Sequence, residues 1–144
     1  MIDNFTGKYK WLSNFERVEI EYKGKTYPST EHAFVSEKNY SEEWREFCAD
    51  PNLTCVAVKK AGNATQLRND WEEIKTQVML DVCTIKFKKE PYRTMLLETG
   101  TQELVEGTTW GDKVWGIDIY TGEGENRLGI ILMIIRDQLI KGEI

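Results

Sequence analysis

The sequence has little histidine, cysteine or proline and no long apolar run. Its 144 residues include one histidine, three cysteines and three prolines. One histidine and no C-x-x-C pair leave no basis for a zinc site and remove most histidine-dependent nucleophile schemes. An odd number of cysteines without paired spacing favours a reducing environment. No run approaches the roughly 20 apolar residues that span a bilayer, and the N-terminus lacks signal-peptide features, so we expect a cytoplasmic protein without membrane contact.

Positive charge is also in short supply. The chain has 19 Lys and Arg against 24 Asp and Glu, which gives a net charge of -5. Proteins that coat nucleic acid or bind anionic membranes depend on an excess of basic residues, so this balance argues against both classes. It does not exclude a pocket with a few local cations. The 40% hydrophobic content suits one ordinary core, and we expect a single domain over residues 1–144.

Hydrophobic periodicity and capping signals predict a mostly helical chain. The expected elements are extended structure over 5–28 with a hairpin turn at 23–25, helices over 31–39, 41–49, 53–61, 70–88, 91–100 and 127–141, a strand over 102–106, and a loop with an internal strand over 107–127. Gly129, near the start of the last helix, indicates close backbone approach. The predicted fold class is α+β: mostly helical, with a small antiparallel sheet.

The first predicted helix places an acid and an amine on one face. Glu31 and Lys38 lie two turns apart on it, with Phe34 and Val35 between them. Dinucleotide, phosphate-loop, zinc-protease and serine-hydrolase motifs are absent, which leaves carboxylates, lysines and aromatics for chemistry.

These side chains suit reactions at sugar carbons. A carboxylate can stabilise charge on an anomeric carbon, and a neutral lysine can attack a ring-opened ribose to form a Schiff base. From spacing alone, a solvated surface ion pair is the more common explanation for Glu31 and Lys38. His32 is expected to be a hydrogen-bonded helix residue.

A series of stretches in order along the chain carries a family pattern. They are Phe5–Phe15 (FTGKYKWLSNF), Tyr27–Lys38 (YPSTEHAFVSEK), Arg68–Met79 (RNDWEEIKTQVM), Lys86–Phe87, Leu97–Gly100 (LETG), Leu104–Glu106 (LVE), Trp115–Gly116, and Asn126–Gly129 (NRLG) with Leu132, Met133 and Arg136. Together they resemble the NADAR family, also called YbiA-like, over nearly the whole chain.

The resemblance implies an α+β N-glycosidase fold without metal or cofactor. Family members split N-glycosidic bonds to ribose, in phosphoribosylamino-pyrimidine intermediates of riboflavin synthesis or in ADP-ribose attached to a base such as guanine in nucleic acid. We rank ADP-ribosyl or nucleotide substrates slightly first, because the chain gives no hint of a biosynthetic fusion. The expected partners are a small-molecule ribosyl phosphate or ADP-ribosylated nucleic acid; no stable protein partner is implied.

Carried over by residue, the resemblance implies a catalytic set and a substrate-binding set. The catalytic candidates are Lys38, as Schiff-base or substrate-contacting amine, with Glu31 and Glu106. The substrate-binding candidates are Ser13, Asn14, Arg68, Trp71, Lys75, Asp112, Trp115, Gly116 and Asn126. Lys75 competes with Lys38 as the amine. Core packing is the commoner role for Trp71, and for Arg68 a solvated arginine competes equally with a phosphate partner.

Two departures from the family pattern leave other functions open. Val35 stands where the family usually has an amide residue, so the helix face can contact different groups. The segment 110–125 also aligns poorly, which leaves the substrate open. The alternatives are a non-catalytic module that binds ADP-ribose or a nucleotide, and a protein that engages nucleic acid bearing the modification.

Overall fold

Helices dominate the fold. The computed structural model describes all 144 residues and contains six α-helices, one 3-10 helix and two two-stranded sheets. The elements are a 3-10 helix over Gly7–Leu12, β1 (Arg17–Tyr22), β2 (Lys25–Ser29), α1 (Thr30–Ser36), α2 (Glu42–Cys48), α3 (Cys55–Ala64), α4 (Trp71–Phe87), α5 (Tyr92–Glu98), β3 (Gly107–Thr108), β4 (Ile117–Asp118) and α6 (Arg127–Ile140). The α+β class, mostly helical with a small antiparallel sheet, is confirmed. None of the helices combines the length and the apolar composition needed to cross a membrane.

The chain forms two compact units. One is continuous and covers Asn14–Lys86, and the other combines Met1–Ser13 with Phe87–Ile144. We call them the central unit and the terminal unit. The single domain expected over residues 1–144 stays a prediction.

The central unit begins with the predicted hairpin. Strands β1 and β2 pair antiparallel, with Tyr22 opposite Lys25. The two residues between them, Lys23 and Gly24, both have positive φ, at 48° and 83°. A two-residue turn of this kind matches the right-handed twist of paired strands. It requires positive φ at both residues, which glycine adopts without steric cost. The hairpin leads directly into α1 through Ser29, whose side chain caps that helix by accepting from the His32 N–H.

Helix α1 is shorter than the sequence predicts. It ends at Ser36 instead of Asn39, so Lys38 lies in the turn that follows it. The chain leaves the helix because its next groups have partners elsewhere. The side chain of Glu37 is buried among cations, and the Lys38 carbonyl accepts from the backbone N–H of Arg68 at 2.8 Å.

Gly62 lies inside α3, where the sequence predicts the end of a helix at Ala61. The helix continues to Ala64. A Cβ atom at Gly62 would be 2.9 Å from Cγ1 of Val35 and 3.5 Å from Cδ of Lys38. The glycine therefore permits the close approach of α1 and α3 and does not end the helix.

Helix α4 confirms the strongest start signal in the sequence. It runs from Trp71 to Phe87, within a residue of the predicted bounds at each end. Its buried face does not simply follow hydrophobicity. Ile74 and Ile85 are only half-buried, whereas Met79, Cys83 and Lys86 are buried.

The terminal unit contains two departures from the predicted elements. Residues 7–12 form a 3-10 helix, although extended structure is expected there. Residues 102–106 form no strand of their own. They make one isolated bridge between Leu104 and Ile2, supported by the N–H of Val105 donating to the Ile2 carbonyl at 2.8 Å. A two-residue parallel pair, β3 with β4, follows.

Helix α6 ends the terminal unit and confirms the reason given for Gly129. The helix covers Arg127–Ile140, one residue short of the prediction. A Cβ atom at Gly129 would collide with the carbonyl oxygen of Leu104 and with the Asn126 side chain. Glycine at this position allows the backbone of α6 to approach the 102–106 segment directly.

Candidate active site

The amine of Lys38 lies between two helices of the central unit. Its Nζ is 3.4 Å from the carbonyl oxygen of Gly62 in α3 and 5.8 Å from the ring centroid of Trp71 in α4. The side chain is half-buried. The turn after α1 therefore holds the amine over an aromatic ring at the edge of the unit's interior.

The pKa of Lys38 lies below the ordinary lysine value. Burial is the main cause, because it disfavours the charged ammonium. The carboxylate of Glu31 opposes this shift, while the ammonium groups of Lys59 and Lys75 add to it by repulsion. More of the amine is consequently neutral near pH 7 than for a solvated lysine, which is the form that acts as a nucleophile.

Glu31 is held in the first turn of α1 by Asn14. The Glu31 N–H donates to the Asn14 carbonyl at 3.3 Å. The Asn14 side chain is buried; its Oδ1 accepts from Thr30 at 2.9 Å and its Nδ2 donates to the Met79 sulfur at 3.3 Å. In the central unit, Asn14 thus supports the helix start that carries Glu31.

Trp71 and Lys75 extend the site along α4. Trp71 is buried and packs on Phe34, with ring centroids 5.1 Å apart, so it belongs to the core as well as lying under the Lys38 amine. Lys75 stands one turn further on and pairs with Glu72 at 2.5 Å. Glu31, Lys38, Trp71 and Lys75 thus belong to one electrostatically coupled cluster.

Arg68 is joined to the cluster through its backbone, while its guanidinium is engaged by protein groups. Nε donates to Asp70 at 2.6 Å, one terminal nitrogen contacts Glu37 at 3.2 Å, and the other donates to the Tyr40 hydroxyl at 2.6 Å. This set of contacts stabilises the two chain segments that flank Lys38 and Trp71.

Glu37 is a residue that the sequence reasoning missed. Its carboxylate is buried and contacts Lys23 at 3.0 Å and both Arg45 and Arg68 at 3.2 Å. These partners lie 14, 8 and 31 residues away along the chain, so no local spacing pattern reveals them. Glu37 anchors the turn that presents Lys38.

Two other lysines of the central unit are also absent from the site that the sequence predicts. Lys59, on α3, is half-buried and its Nζ lies 5.8 Å from the Phe15 ring centroid. Lys86, on α4, is fully buried, and burial lowers its pKa to about 8. Because no part of Lys86 is exposed, Lys38 is the better placed amine for a substrate.

His32 occupies the hydrogen-bonded position that the sequence indicates. It is fully buried in α1. Its Nδ1 lies 2.6 Å from the Ser29 hydroxyl, and its Nε2 lies 2.7 Å from the Leu53 carbonyl oxygen. A neutral ring that donates from Nε2 and accepts at Nδ1 satisfies both contacts.

The terminal unit brings Glu106, Gly116 and Asn126 together. Glu106 is buried, and its backbone N–H donates to Asn126 Oδ1 at 3.0 Å. Asn126 has a left-handed backbone, and its Nδ2 donates to the Leu104 carbonyl at 3.0 Å. A Cβ atom at Gly116 would collide with the backbone carbonyl oxygen of Glu106 and would lie 2.9 Å from its Cγ. Glycine at this position therefore lets the two backbones approach each other closely.

Asp112 and Trp115 lie in the loop between β3 and β4. Asp112 Oδ1 accepts from the N–H groups of Val114 and Trp115 at 3.0 and 2.9 Å, which makes it a turn-forming residue. Trp115 is half-buried. Ser13 ends the 3-10 helix, with its N–H donating to the Lys10 carbonyl at 2.9 Å.

Comparisons with known proteins agree on one family. The model of the NADAR domain family matches residues 3–140. N-glycosidase YbiA of Shigella boydii is 39% identical over 91% of this chain and 82% of its own length, and riboflavin biosynthesis protein VVA0006 of Vibrio vulnificus is 33% identical over 90% of this chain and 35% of its own. The NMR structure of the E. coli protein YbiA matches with a TM-score of 0.85 and 34% identity, covering 99% of this chain and 89% of that one. The chain belongs to the NADAR domain family.

Proposed function

We propose that this chain is a hydrolase that cleaves the N-glycosyl bond between a ribose and a nitrogenous base. Membership of a family whose relatives carry the name N-glycosidase supports this class. The observation that carries the proposal is the half-buried amine of Lys38, whose pKa is lowered by burial, within the field of Glu31 and over the ring of Trp71.

The amine supports a covalent route. Opening of the ribose ring breaks the C1–O4 bond, with a proton going to O4, and leaves C1 doubly bonded to the base nitrogen. Neutral Nζ of Lys38 adds to C1, a proton passes from Nζ to the base, and the C1–N bond to the base breaks. Water then adds to the resulting imine, its oxygen stays on C1, and the amine is released. The net reaction consumes one water and yields free base and free sugar.

Carboxylates supply the acid and base steps. Glu31 is the first candidate for acid and base work beside Lys38, because its charge already raises the pKa of that amine. Glu106, in the terminal unit, stays a prediction for acid or base work. A route without a covalent lysine, in which a carboxylate stabilises positive charge on C1, uses the same residues.

The substrate class is a ribosyl phosphate. Phosphoribosylamino-pyrimidines of riboflavin synthesis and ADP-ribose attached to guanine are the two candidates, and the name of the Vibrio vulnificus relative supports the first. Lys75 contributes positive charge for a phosphate beside Trp71. The polar candidates of the terminal unit, Ser13, Asp112 and Asn126, stay predictions.

Product analysis tests this function. Purified protein is incubated with phosphoribosylamino-pyrimidines, nucleotides and ADP-ribosylated DNA, and released base is separated by chromatography. We expect free base from at least one substrate, and loss of about 10³-fold or more in kcat for Lys38→Ala. Lys60→Ala, which removes an exposed lysine of α3, is the matched control and should retain activity. Bound but uncleaved substrate throughout the panel contradicts the proposal.

The departure at Val35 does not favour the binding-module alternative. Val35 is buried, and its methyl groups lie against Gly62. The valine thus fills space between α1 and α3, next to the same glycine that the Lys38 side chain approaches.

A further inference from the structure

A cavity of about 570 Å³ lies beside the cluster around Lys38 in the central unit. Its walls come from the chain that follows Lys38 and from the segment that precedes α4. Its lining includes Asn39, Tyr40, Gln66, Arg68, Asn69 and Asp70. Of these, only Arg68 is among the proposed site residues, and its charged groups already have protein partners.

Tyr40 presents an aromatic surface to this cavity in a fixed orientation. The guanidinium carbon of Arg68 lies 3.9 Å from the ring centroid, and Arg68 also donates to the Tyr40 hydroxyl at 2.6 Å. Tyr40 as a whole residue is nevertheless 64% exposed. A large aromatic side chain that is held in place and still open to solvent offers a stacking surface at little cost in conformational entropy.

The electrostatics of the cavity do not suit a phosphate. Its lining holds one cation, Arg68, and one anion, Asp70, and these two pair directly. A second carboxylate, Glu37, contacts the same guanidinium at 3.2 Å. No excess positive charge is therefore available to an anionic ligand.

Three of the remaining lining side chains are amides, and the fourth, Leu67, is apolar. Gln66 and Asn69 are exposed, and each carries an adjacent donor and acceptor. Amide side chains of this kind pair with the donor and acceptor edge of a nucleobase, while an aromatic ring stacks on its face. The cavity therefore matches a planar, uncharged ring with polar edges.

We propose that this cavity is a nucleobase subsite, in which Tyr40 stacks on the base and Gln66 and Asn69 contact its edge. The inference rests on the proposed function, since the base is the one that the ribosyl substrate carries. The backbone joins the cavity to Lys38. Asn39 and Tyr40 follow Lys38 in the chain, and the Arg68 N–H donates to the Lys38 carbonyl at 2.8 Å.

The experiment is a binding titration that does not require turnover. Guanosine, adenosine, cytidine and ribose 5-phosphate are titrated into the isotopically labelled protein, with amide chemical shifts and calorimetry as readouts. We expect nucleosides to shift residues 39–40 and 66–70, and ribose 5-phosphate to leave them unshifted. Tyr40→Ala should weaken nucleoside binding by about tenfold or more, whereas Tyr40→Phe, which keeps the ring and loses only the hydroxyl contact with Arg68, should weaken it less. Tyr120→Ala, at another exposed tyrosine, is the matched control.

Each outcome bears on one proposal or the other. Absence of nucleoside binding at these residues, equal shifts from ribose 5-phosphate, or unchanged affinity in a folded Tyr40→Ala variant overturns the subsite, even if base release continues. Tyr40-dependent nucleoside binding supports the subsite. If no substrate is cleaved in that case, the proposed function fails and the subsite stands.

Discussion

At the scale of single residues, the charge on Glu31 sets a limit on how far the pKa of Lys38 falls. Burial and two neighbouring ammonium groups lower that pKa, and Glu31 raises it. Replacing Glu31 by glutamine removes the opposing charge, so the pKa of Lys38 should fall further. The measurement is an NMR titration of lysine side-chain carbons, with the Lys38 signal assigned through Lys38→Arg. An unchanged midpoint in Glu31→Gln would show that the two groups are not coupled.

Protonation of buried His32 is expected to lower the stability of the protein in mild acid. Burial lowers its pKa below the ordinary value of 6.5. The unfolded chain therefore binds a proton at a higher pH than the folded chain does, and the free energy of unfolding falls as pH drops below about 6.5. The slope is at most about 1.4 kcal/mol per pH unit. Denaturant unfolding between pH 7 and 5 measures it, and His32→Gln, the control without a titrating ring, should show a flatter profile. Equal profiles would contradict the assignment.

At the scale of helices, Gly62 decides how closely α1 and α3 pack. Alanine is intrinsically favoured over glycine in a helix by about 1 kcal/mol, yet a Cβ atom here would stand 2.9 Å from a stiff, β-branched valine. We expect Gly62→Ala to lower the free energy of unfolding by about 1–3 kcal/mol. Adding Val35→Ala should relieve the clash, which a double-mutant cycle detects. A neutral or stabilising Gly62→Ala variant would contradict this account of the contact.

Glu37 is expected to hold the hairpin, α2 and the segment before α4 around the Lys38 turn. Its buried carboxylate contacts cations from all three. Glu37→Gln removes the charge; because Lys23 is half-exposed and Arg68 keeps Asp70, the cost should be about 1–3 kcal/mol of unfolding free energy. Glu43→Gln, at an exposed acid of α2, is the matched control and should change stability by less than about 0.5 kcal/mol. A cost as small as the control's would mean that the pairs are dispensable.

Elements with local signals are the ones that the sequence predicts well. The hairpin turn and the start of α4 depend on neighbouring residues, and both are confirmed. The end of α1 and the length of α3 depend on contacts with distant residues. Arg68 and Val35 decide them through tertiary contacts that no window of sequence contains.

The candidate site also contains residues that the sequence predicts and residues that only the structure reveals. The family pattern places Glu31, Lys38, Trp71 and Lys75 in one list, and the structure brings these side chains into one cluster. Glu37 and Lys59 escape sequence reasoning because a charged residue on a predicted helix resembles any solvated one. Their burial and partners appear only when segments far apart in the chain come together.

At the scale of the whole molecule, the net charge of -5 limits the affinity for nucleic acid. Tight binding of the phosphate backbone requires several lysine or arginine contacts and produces a steep dependence on salt. We expect unmodified duplex DNA to bind weakly, with little change in affinity between 50 and 200 mM salt. Fluorescence anisotropy measures this directly. Tight, strongly salt-dependent binding would point instead to a protein that recognises nucleic acid as such.

The most direct test of the central claim, that the Lys38 amine attacks the sugar, is intact-mass analysis after borohydride reduction in the presence of a substrate. Reduction converts an imine into a stable bond. We predict one added sugar fragment without its base, mapped by peptide analysis to Lys38, and no such adduct in Lys38→Ala. Release of base without any adduct, or an adduct carried by Lys75, would contradict the claim.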